Sequence, residues 1–456
     1  MNKKNAAIDM THGPMVKKII LFIIPLMLTK LLQVAFSTAD TAVTGRCVGD
    51  MALAAVGASA VIMELIIWVS GGLSSGASVV IAQDIGRDDD GEISRGIHTA
   101  MLFSLVCGVA FAVIGLIVAR PALRALGTPD DVFKPAVTYL TIVLFGIPAQ
   151  MVYQFGAAAM RAAGDTGKPV LFLAFSGAMN VVLNLFAVLV LHLEVVGVAL
   201  ATTVTQYLSA VLIVRYMCRR TDRFALHPKK LAIHKDKLAA MLKIGIPAAV
   251  QGILFTISDI ALQTAVNSLG SLAMSGNSVA MTVDGFVFIS MDSLTQACMV
   301  FSGQNVGAKL YDRSKKAIGE CAGLAAGLGI VVGLVVFTFR RGLARLFLPD
   351  APEAVEYALG RLSIVTTTCF IYGVLDVISA ALRSYGKSTA PAVISVVGIS
   401  CFRLAWVLFV FPTHHTMFEL YLCYPLAWIL CLIAEGVVLR MVIRKATAGT
   451  AVPTAG

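Results

Sequence analysis

Ala159-Met-Arg-Ala-Ala-Gly-Asp-Thr-Gly-Lys-Pro169 and Ala381-Leu-Arg-Ser-Tyr-Gly-Lys-Ser-Thr-Ala-Pro391 are one motif occurring twice. Arg161 aligns with Arg383, Gly164 with Gly386 and Pro169 with Pro391, each 222 positions apart and without a gap. Working outward, Pro25 and Pro247, each preceded by Ile, keep the same offset of 222, and Gln83-Asp-Ile-Gly86 matches Gln304-Asn-Val-Gly307 at 221. Three motifs in one register across half the chain mark an internal duplication.

The repeated unit is a set of membrane helices. Of 456 residues, 58% are hydrophobic and 14% charged, against about 25% charged in a soluble domain. Crossing the hydrocarbon takes roughly 20 mostly apolar residues in a helix. Spans are expected at about 17–42, 52–82, 97–119, 133–158, 169–191 and 195–217, then 239–265, 272–303, 317–338, 355–382, 390–411 and 418–440. The long unbroken runs exclude a β-barrel, whose strands alternate over about ten residues. The expected fold is therefore all-α and integral to the membrane. It has about twelve spans in two parallel six-helix repeats, which form two lobes around a central cavity. Six crossings return the chain to its starting side, so the repeats share one orientation. The divisions expected are an N-terminal lobe at 1–217, a basic linker at 218–238, a C-terminal lobe at 239–440 and a tail at 441–456.

A net charge of +10 reads as membrane topology, since Lys and Arg concentrate in cytoplasmic loops. Nucleic acid is not an expected partner. Lys3, Lys4, Lys17 and Lys18 precede the first span, the segment from Arg219 to Lys243 joins the repeats, and Arg440, Arg444 and Lys445 follow the last span. Both termini are expected in the cytoplasm of a multi-pass protein of the plasma (inner) membrane. The Arg-rich stretch 340–361 is an exception to the rule. The first apolar run reads as a retained span, because no short core with a small-residue cleavage site is present. Nine cysteines without a C-x-x-C pair read as small buried side chains.

Polar groups inside the spans carry the functional signal, because a charge at mid-membrane costs about 2.5 to 3.5 kcal/mol on insertion scales. Asp40, Glu64, Asp259, Asp284, Asp292, Asp376 and Glu435 interrupt apolar runs, with Lys30 read as the one mid-span cation. Lys30, Gln33, Ser37 and Asp40 fall within about 80° of one helix face. Pro25, just before that face, frees a carbonyl and bends the helix. Asn180 and Asn184 on the fifth span and Gln206 on the sixth are placed to hold a proton on Asp40 or to supply oxygens to sodium. Interhelical hydrogen bonding is the bland alternative for the amides. Asp259 with Gln263 on the seventh span, Asp284 and Asp292 on the eighth, and Asp376 on the tenth are the remaining expected cavity residues, together with Lys30, Gln33 and Ser37. Asp376, seven residues before Arg383, is an expected salt-bridge partner at the rim. Pro25, Pro247, Arg161 and Arg383 are the expected hinge or loop positions.

No Walker loop, H-E-x-x-H helix, G-x-S-x-G elbow or paired Cys/His zinc spacing occurs. An enzyme is not expected, and neither is a cofactor or a metal other than sodium. Energy must then come from an ion gradient or a coupled substrate gradient. A two-lobed parallel repeat suits a transporter that works by alternating access.

Pro25, Asp40-Thr41, Gly45-Arg46, Ala52-Leu-Ala-Ala-Val-Gly57, Gln83 to Gly86, Arg161 to Pro169, Asn180, Gln304-Asn-Val-Gly-Ala308 and Arg383 together resemble the multidrug and toxic compound extrusion (MATE) family over nearly the whole chain. The resemblance implies a twelve-span antiporter that exports small organic, mainly cationic or amphiphilic compounds against protons or sodium. It implies Asp40 as the first-span coupling acid and Asn180 as its fifth-span partner. Asn184 departs from many relatives, which carry an acid there, Asp259 stands nearest to a seventh-span Glu, and Lys30 replaces a residue that is usually neutral. A lipid-linked precursor flippase or a metabolite exporter of the same superfamily are the alternatives. Small organic substrates and membrane lipid are the expected partners of a chain expected to act as a monomer.

Overall fold

A computed structural model describes residues 8–448. Lys3, Lys4 and the end of the expected tail, 449–456, lie outside them. The described chain is helical: α1 Met15–Val48, α2 Asp50–Arg87, α3 Asp90–Ala125, α5 Gly167–Val190, α6 Glu194–Cys218, α7 Lys235–Asn267, α8 Ser271–Gly307, α9 Tyr311–Phe347, α10 Pro352–Ser384, α11 Thr389–Thr413 and α12 Met417–Ala448. Each is long and apolar enough to cross a membrane. The fourth element, α4, is a pair of helices, Asp130–Leu144 and Ile147–Ala162, bent by 45°. With α4 taken as one span the chain crosses twelve times, as a multi-pass membrane protein.

The duplication is visible in backbone detail. After α4, Gly164 adopts φ +82°, and after α10, Gly386 adopts φ +74°. Asp165 N–H reaches back to the Met160 carbonyl and Lys387 N–H to that of Leu382, both at 2.9 Å. This is one Schellman cap built twice, and its left-handed residue is the reason Gly stands at the centre of both motifs. Asp88 and Lys309, which close α2 and α8, repeat a left-handed turn in the same way, with φ 57° and 59°.

The helices form two compact units. One covers Ile24–Gly245, the other Met10–Ile23 and Ile246 onward. Both cuts fall two residues before the repeated proline, Pro25 or Pro247. In the first unit the start of α7 packs closely on α2. A Cβ on Gly76 would strike the Met241 carbonyl oxygen, and one on Gly245 would lie 2.9 Å from Leu73 Cα. Lys237 at that end is buried and donates to Asp84 at 2.6 Å and to Glu92 at 2.7 Å, while Arg95 donates to Asp236 at 2.8 Å. In the second unit the start of α1 is held by Phe22 edge-on to Phe301, centroids 5.6 Å apart. Asn305 donates to the Met10 carbonyl at 3.2 Å and Arg313 to that of Gly13 at 2.9 Å.

The bend in α4 leaves carbonyls without helical donors. Hydroxyls of α6 take them: Thr203 donates to Ile142 at 3.0 Å and Tyr207 to Phe145 at 2.9 Å. Gly146 at the bend leaves room for the Gln206 amide, since a Cβ there would overlap Gln206 Oε1.

Gly76→Val should lower the thermal midpoint of the detergent-purified protein by several degrees, because overpacking against backbone costs about 1–3 kcal/mol. Gly285→Ala, where an added Cβ meets nothing within 4 Å, should leave it unchanged or slightly raised. Equal melting of the two variants would show that the α2 to α7 contact is not tight.

Candidate functional site

In the first unit, α1 and α5 run in the same direction, and Phe36 fills a notch at Gly177, where a Cβ would overlap its ring. That close approach brings the next turn of α1, with Asp40, against the next turns of α5, with Asn180 and Asn184. Asn184 Nδ2 donates to Asp40 Oδ1 at 2.5 Å. Oriented to satisfy both groups, the Asn180 amide donates to the two Asp40 oxygens at 2.7 and 3.2 Å. Its oxygen then faces the Thr205 hydroxyl of α6, 3.3 Å away. Asn180 and Asn184 are both buried, Asn184 at 0% exposure, and Asn184 Oδ1 has no hydrogen-bond partner. The Tyr139 phenol of α4 lies close enough to interact with the Asp40 charge. Immediately past this cluster both helices widen into π-helical turns, at Thr44–Val48 and Phe186–Val190, a feature that concentrates at functional sites. Three of the four expected ion-coupling residues thus meet in one place. The fourth, Gln206, lies on α6 against Gly146, with a buried and unpartnered Oε1. Of the polar face on α1, Gln33 and Ser37 are exposed and Lys30 is half-buried.

The second unit is organised by cations that the sequence reading passed over. Lys30 is not the one cation inside the spans: Arg403 lies within α11 and Arg361 within α10, both 7% exposed. Arg361 donates from Nε to Asp284 at 2.7 Å and from Nη1 to the Asn277 oxygen and the Tyr421 hydroxyl, each at 3.2 Å. Tyr421 donates to the same Asn277 oxygen at 2.5 Å, and Asn277 donates to Gln263 Oε1 at 2.9 Å. Arg403 donates to Asp259 at 2.9 Å, and its guanidinium carbon sits 4.0 Å from the centre of the Tyr424 ring. Asp259, Gln263 and Asp284, expected as free cavity groups, are thus tied to arginines or amides. An acid and a base buried together avoid the several kcal/mol that either would cost alone, and Asp284 with Arg361 is such a pair, their side chains 2% and 8% exposed; Asp259 reaches Arg403 from an exposed position. A lone Arg in an apolar run was the available signal.

Asp376 accepts from the Thr295 hydroxyl at 2.7 Å, and Arg383 donates to Gln251 Oε1 at 2.8 Å. The expected direct pairing of Asp376 with Arg383 is replaced by these two bonds, because α7 and α8 supply nearer partners. Asp292, half-buried on α8, acts electrostatically on Asp376. Glu435, fully buried on α12, accepts from two serines, Ser379 at 2.5 Å and Ser395 at 3.0 Å.

Arg361→Met should destabilise the protein by about 3–5 kcal/mol by stranding Asp284, and the double variant with Asp284→Asn should recover a large part of that. A double-mutant cycle on thermal stability reads the coupling directly. Additive losses would show that the pair does not interact.

A family model described as MatE matches residues 25–186 and 247–407, one segment in each half. Among curated proteins, "Probable multidrug resistance protein YoeA" of Bacillus subtilis is 29% identical over 426 residues, 91% of each chain. The "FAD transporter" of Shewanella oneidensis is 21% identical over 369 residues, 79% of this chain and 80% of that one. Among solved structures, the outward-facing conformation of a multidrug resistance MATE family transporter superposes with a TM-score of 0.89 at 19% identity. It covers 98% of this chain and 100% of the other.

Proposed function

We propose that this chain, which belongs to the MatE family, exports small organic, mainly cationic or amphiphilic compounds across the plasma membrane in exchange for protons. The cycle is one of alternating access, with both termini cytoplasmic, no cofactor, and the monomer as the working unit in its lipid. The names of relatives, among them YoeA and YpnP as probable multidrug resistance proteins, support export of drug-like compounds.

One observation carries the choice of ion, namely that Asp40 is met by amide nitrogens. With Asn180 and Asn184 donating, both carboxylate oxygens are satisfied and the ionised form is held. Turned by half a rotation, the Asn180 amide presents its oxygen at the same place and accepts from a protonated carboxyl. One heavy-atom arrangement therefore serves both protonation states. Sodium, like other hard cations, takes oxygen ligands. With Asn180 and Asn184 both donating, the Asn184 oxygen is the buried oxygen beside Asp40 that is left without a partner, which supports a proton over a sodium ion that would need several. Export follows if loading a proton on Asp40 from outside and binding substrate exclude each other.

A second reading, an anionic metabolite as cargo, is favoured by Arg403, whose buried Nε has no partner. It agrees with the name of the Shewanella relative.

The test is ethidium efflux from whole-cell or inverted vesicles under an imposed pH gradient and then a sodium gradient. Efflux should follow the pH gradient and vanish in Asp40→Asn, with expression and membrane insertion unchanged. Efflux that survives the substitution removes Asp40 from the mechanism, and no efflux in wild type under either gradient favours the metabolite reading. Asn184→Asp, which adds a second carboxylate beside Asp40, should confer sodium-driven efflux that wild type lacks. Sodium-driven efflux already present in wild type would contradict the assignment of the proton.

A further inference from the structure

Ranked by partner, these acids of the spans divide into two classes. Asp84, Asp259 and Asp284 face a lysine or an arginine at 2.6 to 2.9 Å. Glu435 has only hydroxyls: Ser379 on α10 donates to Oε2 at 2.5 Å and Ser395 on α11 to Oε1 at 3.0 Å. All three side chains are at most 2% exposed. The pocket is built by close helix packing. Gly398 on α11 makes room for the Cys431 sulfur on α12, where a Cβ would collide with it. The following turn of α12 then sets Glu435 against Ser395, and α11 widens into a π-helical turn from Val396. The charged groups that act on Glu435 are Arg383 and Asp376 of α10, and Cys431 on its own helix is the nearby thiol. From α11 the hydroxyl of Ser395 reaches it.

We propose that Glu435 is a second proton-binding site, lodged inside the C-terminal unit and distinct from Asp40. A serine hydroxyl is donor and acceptor at once. When Glu435 is ionised, Ser379 and Ser395 donate to it. When a proton from water binds Oε2, the carboxyl donates to Ser379, and that hydroxyl turns its own hydrogen toward a carbonyl one turn back on α10. No heavy atom moves, and the pocket accepts either state. An arginine has no acceptor, so Asp259 and Asp284 lack this freedom. Asp376 differs in its partners: one hydroxyl, that of Thr295, donates to it, where Glu435 has a serine on each oxygen.

A route for the proton lies one turn further along α12. Val438 and Met441 line a cavity of about 500 Å³ that also touches Tyr385 and Lys387, the loop of the repeated motif. Val438, three residues after Glu435, is on nearly the same helix face. The cavity wall at Val438 is thus one helical turn along α12 from Glu435. The same motif that caps α10 brings Arg383 and Ser379 to this end of the unit.

The role in transport rests on the antiport reading, but the proton site itself does not, and the test separates the two. Infrared difference spectra of the purified full chain in lipid nanodiscs, taken between about pH 5 and about pH 9, report protonated carboxyls by their carbonyl stretch. Wild type should lose one such band that Glu435→Gln lacks and Asp40→Asn retains. Ser379→Ala should shift that band in frequency, a change that a merely structural carboxyl, locked in one state, would not show with pH. In ethidium efflux driven by a pH gradient, Glu435→Gln should lower the rate about tenfold, a barrier increase of about 1.4 kcal/mol, with the thermal midpoint unchanged. Identical difference spectra for wild type and Glu435→Gln would overturn the proposal. A titrating band that disappears in Glu435→Gln, in a protein that moves no ethidium under any gradient, would leave the site standing and sink the antiport reading instead.

Discussion

Whatever partner a carboxyl meets inside the membrane decides what that carboxyl can do. An ionised acid without a partner costs several kcal/mol in hydrocarbon; the span acids described above each have one, and the partners are of two chemical kinds. Lys237, Arg361 and Arg403 bind Asp84, Asp284 and Asp259 with fixed positive charge. These pairs are structural, joining helices that lie far apart in sequence. Asn180, Asn184, Ser379 and Ser395 offer amides and hydroxyls, which satisfy an acid with or without its proton. The proposed proton exchange uses the second kind.

The fold brings those partners together by letting helices approach closely at glycine. Gly177 admits Phe36 and so sets Asp40 beside α5. Gly146 admits Gln206 at the bend of α4, and Gly398 admits Cys431 beside Glu435. Association inside a bilayer relies on such packing, since apolar burial gives little preference for protein over lipid. Pro25 and Pro247 stand two residues past the points where the compact units divide. Each unit thereby includes the start of a helix whose remainder belongs to the other. A proline at that position frees a backbone carbonyl and weakens the helix where a change of direction is least costly.

The duplication, the twelve spans and the meeting of Asp40 with Asn180 and Asn184 could be read from residue order. Gly164 and Gly386 repeat because a left-handed cap requires them, and Asp40, Asn180 and Asn184 are polar where hydrocarbon disfavours polarity. What stayed hidden is pairing across distant sequence. Asp259 looks the same whether it lines a cavity or holds Arg403, 144 positions away, and only packing decides between them. Arg361 falls near the end of its span, where a long side chain usually reaches the interface; here it turns inward to Asp284. Glu435 was legible as a buried acid, but its two serines come from two other helices.

Competition between proton and cargo at Asp40 is the core of the account, and proton release on binding measures it without any gradient. Ethidium added to the purified protein in weakly buffered detergent solution should acidify the medium in wild type and leave it unchanged in Asp40→Asn. Ethidium that binds wild type with no proton released would contradict the account.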